Sequence, residues 1–125
     1  MSMTVMEAIG RIDKLKPNGI GMAEKIRWLS MLDGIIKKNI IDTHAGGEAV
    51  KFSGYTEESL GEKLIVGAPY DDIYVKWLEA QIDYAYGEYN KYNNSMDAYN
   101  TAFGAFERAY HREHLPKNTA KWTHF

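Results

Sequence analysis

Glu107, His111 and His114 are separated by four and three residues, so on a helix they share one face. With Asp42 and His44, which sit together elsewhere in the chain, they offer the imidazole and carboxylate groups that zinc prefers. The surrounding pattern points away from a metal. There is no HExxH, no paired ExxH and no Cys/His framework. Arg108, Arg112 and Glu113 make the same segment a solvated, mixed-charge helix end, where histidine needs no ligand. The carboxylate pairs Asp71-Asp72 and Glu57-Glu58 could do acid–base work, but at helix starts such pairs act as caps and dipole partners. Gly19-Ile20-Gly21 and Gly46-Gly47 follow no strand into a phosphate-binding pattern, and no serine sits in a GxSxG elbow. No catalytic, cofactor-binding or metal-binding residue is assigned from the sequence, and the chain reads as a non-enzyme without a cofactor.

Composition bounds the remaining choices. A chain of 125 residues suits one domain, with enough buried surface for a core without staples. The formal charge of -2 lacks the basic excess that phosphate neutralisation demands of a nucleic-acid binder. Cysteine is absent, which removes disulfides and thiolate chemistry and fits a reducing cytoplasm. The first ten residues lack a basic stretch followed by an apolar one, so no signal peptide is expected, and no apolar run approaches a membrane span. The unusual feature is nine tyrosines, five of them between Tyr74 and Tyr92. Rings with polar tips suit half-buried positions and protein interfaces.

Periodicity predicts an all-α fold, a four-helix bundle of one domain over residues 1-125. The first helix runs over 5-16, opened by a Thr4–Glu7 capping box, with Val5, Ile9, Ile12 and Leu15 or Lys16 on one stripe. The second covers 22-44, with Gly34 marking either a close helix contact or a tolerated defect, and Gly46-Gly47 as its stop. The third covers 71-92, with Asp71 as N-cap and Tyr74, Leu78, Tyr89 and Tyr92 along one face, joined by Trp77 and Tyr84. Asn93-Asn94 breaks it, and Ser95 caps a fourth helix over 96-114, so that the last two helices form an antiparallel hairpin. Between them lies a long irregular loop, 45-69, in which Val50-Lys51-Phe52 and Lys63-Leu64-Ile65-Val66 could pair as a short β-hairpin and Thr56 to Ser59 forms a helical turn. A polar tail, 117-125, carries Trp122 and Phe125. The expected core includes Trp28, Leu32, Tyr74, Trp77, Leu78, Phe103 and Phe106.

Three stretches together carry a resemblance: Glu24-Lys25-Ile26-Arg27-Trp28-Leu29-Ser30-Met31-Leu32-Asp33-Gly34, then Ala68-Pro69-Tyr70-Asp71-Asp72-Ile73-Tyr74, then Leu78 to Tyr84 continuing through Glu88-Tyr89 to Tyr92-Asn93-Asn94-Ser95. Over about Met22 to Pro116 the chain resembles the small head–tail connector, or head-completion adaptor, proteins of long-tailed bacteriophages and of prophages in Gram-positive bacteria. The resemblance implies a helical bundle with an extended loop. It implies a ring of copies beneath the portal, which closes the filled head and meets the tail-completion proteins. DNA would pass by without specific binding, no cofactor would be needed, and the isolated chain could be a monomer. The place of action would be the host bacterial cytoplasm during assembly and then the virion head–tail junction, with no membrane involved. Exposure logic names Phe52 and Tyr55 in the loop, and Trp122 and Phe125 in the tail, as contacts to partners or neighbouring copies. The competing class is a helical protein-binding module of a regulatory, non-virion kind.

Overall fold

The computed structural model describes residues 2–117 and contains four α-helices. They are α1 (Val5–Leu15), α2 (Met22–Asn39), α3 (Ile73–Ala85) and α4 (Tyr89–Glu113). Among the described residues there is no β-sheet, only two isolated bridges, Thr4 with Lys63 and His44 with Pro116.

The capping box opens α1 as the sequence predicts. Thr4 Oγ1 accepts from Glu7 N at 3.1 Å, and Glu7 Oε1 accepts from Thr4 N at 2.8 Å. Val5, Ala8, Ile9 and Ile12 turn inward. Leu15 does not; it is 71% exposed, and Lys16 turns in to pair with the buried Asp83 of α3. Lys25, at the start of α2, is likewise buried and reaches Asp13 of α1 at 2.6 Å. These two pairs lock α1 to its neighbours around an apolar seam.

Helix α2 stops five residues before the predicted His44. The carbonyl of Ile40 would accept from His44 N in a continued helix. Instead it accepts from the His44 side chain, Nδ1 to oxygen 2.6 Å, and from Thr43 Oγ1 at 2.8 Å. The backbone donor becomes Thr43 N at 3.3 Å, one residue earlier than in an α-helix, and with the side-chain bonds added the chain tightens into a 3-10 turn over Ile41–Thr43. Gly47 is required just beyond: a Cβ there would lie 2.2 Å from the Ile41 carbonyl oxygen. Gly34, by contrast, marks no close helix contact, since its Cβ would meet only Phe52 at an ordinary 3.7 Å.

Helix α3 is central. It packs on α1, α2 and α4, and Ile73, Tyr74 and Val75 are buried in succession, as all-round enclosure demands. Its N-cap is Asp72 rather than Asp71, and Asp72 pairs with Lys76 at 2.8 Å instead of bonding a backbone amide. The helix ends well short of Tyr92. Gly87, at φ +72°, takes the left-handed position, Glu88 N donates to Asp83 O and Gly87 N to Tyr84 O, both at 3.0 Å. That is the Schellman arrangement of a glycine stop. The turn is therefore Tyr86 to Glu88. Asn93 and Asn94 lie inside α4, and Ser95 is no cap: it is buried, with Oγ donating to Asp83 Oδ2 at 2.6 Å.

The hairpin of α3 and α4 is antiparallel, as predicted. Asp83 meets Ser95, Trp77 meets Tyr99 with ring centroids 5.1 Å apart, and Tyr70 meets Phe106 at 6.4 Å. Trp28, Leu32, Tyr74, Leu78 and Phe106 are buried, while Trp77 and Phe103 pack half-buried against them.

The loop holds 3-10 turns at Gly47–Ala49 and Glu57–Ser59 but no hairpin. The reason is visible in the amides of the expected second strand. Leu64 N donates to Met3 O, Ile65 N to Asp33 Oδ2 and Val66 N to Tyr74 Oη, at 2.9, 3.1 and 2.8 Å. Those three donors are taken by Met3, Asp33 and Tyr74, so Leu64, Ile65 and Val66 cannot donate to a partner strand.

Candidate functional site

The chemistry-bearing groups named from sequence come together in part. His44 is buried at the end of the Ile41–Thr43 turn, and its Nε2 lies 2.7 Å from His111 Nδ1 on α4. Because a carbonyl can only accept, His44 donates from Nδ1 to Ile40, and its Nε2 shares one proton with His111 Nδ1. His114 stacks flat on Tyr110, centroids 3.7 Å apart, and Tyr110 meets His44 edge-on at 4.9 Å. Glu107 lies 4.0 Å from His111 on the other ring nitrogen, and Asp42 pairs with Lys37. Each group is turned to a different partner. Among the described residues no set of three histidine, aspartate or glutamate side chains is placed to hold a metal ion. The cluster ties the end of α4 to the turn after α2, and Ala45 N donating to Leu115 O at 2.7 Å continues that tie.

A second polar centre escaped the sequence reading. Asp33 of α2 is completely buried, and its carboxylate accepts from Tyr55 Oη at 2.5 Å, Tyr74 Oη at 2.6 Å and Ile65 N at 3.1 Å. Burial raises the carboxyl pKa, and the three hydrogen bonds oppose that rise. Burial and the nearby Asp33 together push both phenols above their ordinary range. One carboxylate with two tyrosines is a set that can move protons. Here it is enclosed and every polar atom is partnered. It joins α2, the loop and α3.

Tyr55, expected as a loop contact to partners, is therefore a buried structural residue, because its hydroxyl is needed at Asp33. Phe52 is half-buried and packs edge-on against Tyr55, centroids 5.1 Å apart. Trp122 and Phe125 lie outside the described residues.

The surface shows which side chains are free for contact. The predicted single tyrosine face is split by the Gly87 turn. Tyr74 is enclosed, whereas Tyr84, Tyr86 and Tyr89 are exposed at the hairpin tip, between 49% and 58%. Tyr84 packs against Tyr89 at 5.6 Å and Tyr92 at 5.1 Å across the turn, and Tyr86 Oη accepts from Gly19 N at 2.6 Å. A different apolar patch lies on the outer face of α2, where Met31 and Ile35 are exposed beside Gly34 and Lys38. The signal for the tyrosine tip was Gly87, a glycine in the middle of the tyrosine run that can take the left-handed position of a helix stop.

No known protein family model, curated protein or solved structure matches the chain.

Proposed function

We propose that the chain is a structural assembly protein, the phage or prophage head–tail connector that its sequence resembles, acting as a ring of copies beneath the portal. The observation that carries this reading is the presence of two unlike exposed patches, the tyrosine tip of the α3–α4 hairpin and the Met31/Ile35 face of α2. A ring of identical subunits closes through contacts in which one patch meets a different patch on the next copy. Tyrosine suits such a contact, since it presents a large rigid surface and keeps a hydroxyl for water or a partner. The buried polar groups support the reading from the other side. Asp33, Asp83, Lys25 and His44 are each engaged inside the fold, and the reading gives none of them a substrate.

Negative-stain imaging of the purified protein mixed with the portal protein of the same phage or prophage tests the proposal. An added ring of density at one end of the portal is the expected result. No association across a range of salt and protein concentrations would overturn it in favour of a helical binding module with another partner.

A further inference from the structure

We propose that Asn18 is a self-modification site, an asparagine that cyclises on Gly19 and becomes aspartate or isoaspartate, with Tyr86 of the hairpin tip restraining the step. This goes beyond the connector reading and does not depend on it. Asn18 is the one asparagine in the sequence that a glycine follows. It lies in the connection between α1 and α2, half-buried, beside the exposed Gly19. The fold does not require that glycine. Its φ lies outside the left-handed region, and a Cβ there would meet only Tyr86 Oη at an ordinary 3.6 Å. What the missing Cβ provides is an uncrowded backbone nitrogen next to the Asn18 side chain.

The step balances with water alone. Gly19 N bonds to Asn18 Cγ and gives up its proton to solvent base, the Cγ–Nδ2 bond breaks, and ammonia leaves. Water then opens the cyclic imide at either carbonyl, to aspartate or isoaspartate. One water enters, one ammonia departs and nothing is oxidised. In the folded chain four hydrogen bonds restrain the reacting groups. Asn18 Nδ2, the leaving group, donates to Lys16 O at 2.8 Å and to Asp13 Oδ1 at 3.1 Å. Asn18 Oδ1 accepts from Ile20 N at 3.0 Å, an Asx turn. Gly19 N, the nucleophile, donates to Tyr86 Oη at 2.6 Å. That last restraint comes from a tyrosine 49% exposed at a hairpin tip, where local opening costs least. The imide has no N–H, so cyclisation removes the bond to Tyr86, and the new carboxylate faces Asp13. Modification therefore unties the α1–α2 connection from the tip.

The test incubates the full chain in mildly alkaline buffer and follows the peptide containing Asn18 by mass spectrometry, with the aspartate and isoaspartate forms separated by chromatography. The expected result is conversion of Asn18 with isoaspartate among the products, since only the imide yields it. Gly19→Ala, which the fold has room for, should suppress the conversion by crowding the nucleophile. Tyr86→Phe should speed it about five-fold, the factor that loss of one ordinary hydrogen bond predicts. In urea the Tyr86→Phe and unmodified chains should convert at the same rate, which assigns the effect to the folded contact. The proposal is overturned if Asn18 persists in the folded chain or if aspartate is the sole product. It is equally overturned if folded Tyr86→Phe converts no faster than the unmodified chain, or if the difference between them survives in urea.

Discussion

Three donors converge on the Asp33 carboxylate, and they are not equivalent. Tyr55 brings one hydrogen bond, whereas the Tyr74 hydroxyl donates to Asp33 and also accepts from Val66 N. Removing a hydroxyl from a satisfied buried bond costs about 1 kcal/mol, and stranding a buried amide adds roughly 1–3 kcal/mol. Tyr74→Phe should therefore destabilise more than Tyr55→Phe in urea unfolding. Equal losses would show that Val66 finds another acceptor. The protonation of Asp33 gives a second expectation. Burial raises its pKa above the ordinary 3.8, so the folded chain holds that proton more tightly than the unfolded one. The associated stabilisation is complete below about 3.8 and is lost as pH rises through the raised value. The stability difference between the unmodified chain and Asp33→Asn should shrink as pH is raised from about 4. A difference that grows with pH would mean that the three hydrogen bonds outweigh burial.

At the scale of elements, two glycines fix where helices end. Gly87 holds a left-handed backbone with open space around it, so Gly87→Ala should cost roughly 1 kcal/mol from the backbone alone. Gly47 sits against the Ile41 carbonyl, where a methyl group must displace backbone. Gly47→Ala should lower the thermal midpoint further than Gly87→Ala, and the reverse order would disprove the close approach. The same two places show what the sequence could reveal. The α1 capping box and the apolar faces of the helices were legible because they are local patterns. The ends of α2 and α3 were not. Ser95 has the composition of a cap, but its acceptor is Asp83, twelve residues back, and that neighbour exists only after the hairpin has formed. Likewise His44 looks like the last residue of α2 until its ring is seen taking the Ile40 carbonyl. The Asp33 centre joins residues 22 and 41 positions apart, a pairing that no periodicity encodes. The four-helix fold itself survived these errors, because a shifted boundary leaves the buried stripes facing the same core.

For the whole molecule, the surface proposed for assembly lies apart from the buried centre that holds the fold together. Tyr84 and Tyr89 are more than half exposed and touch chiefly each other and Tyr92. The double change Tyr84→Ser with Tyr89→Ser should leave unfolding free energy within ~0.5 kcal/mol, as for surface positions generally. It should weaken association with the portal, read as lost ring density or a lost sedimenting complex. Retained association would move the contact elsewhere, with the Met31/Ile35 face the next to change. The loop from 45 to 69 has the length of a segment that could open on its own, yet the bonds of Ile65 and Val66 run to Asp33 and Tyr74 at the centre of the bundle. Breaking them requires lifting Ile65 and Val66 away from the buried Asp33–Tyr74 centre that joins α2 to α3. Their amide protons should therefore exchange with solvent deuterium as slowly as those in the middle of α3, on the clock of global unfolding. A protease faces the same barrier at Leu64 to Val66, so this irregular-looking part of the loop should be cut there only as fast as the entire chain unfolds.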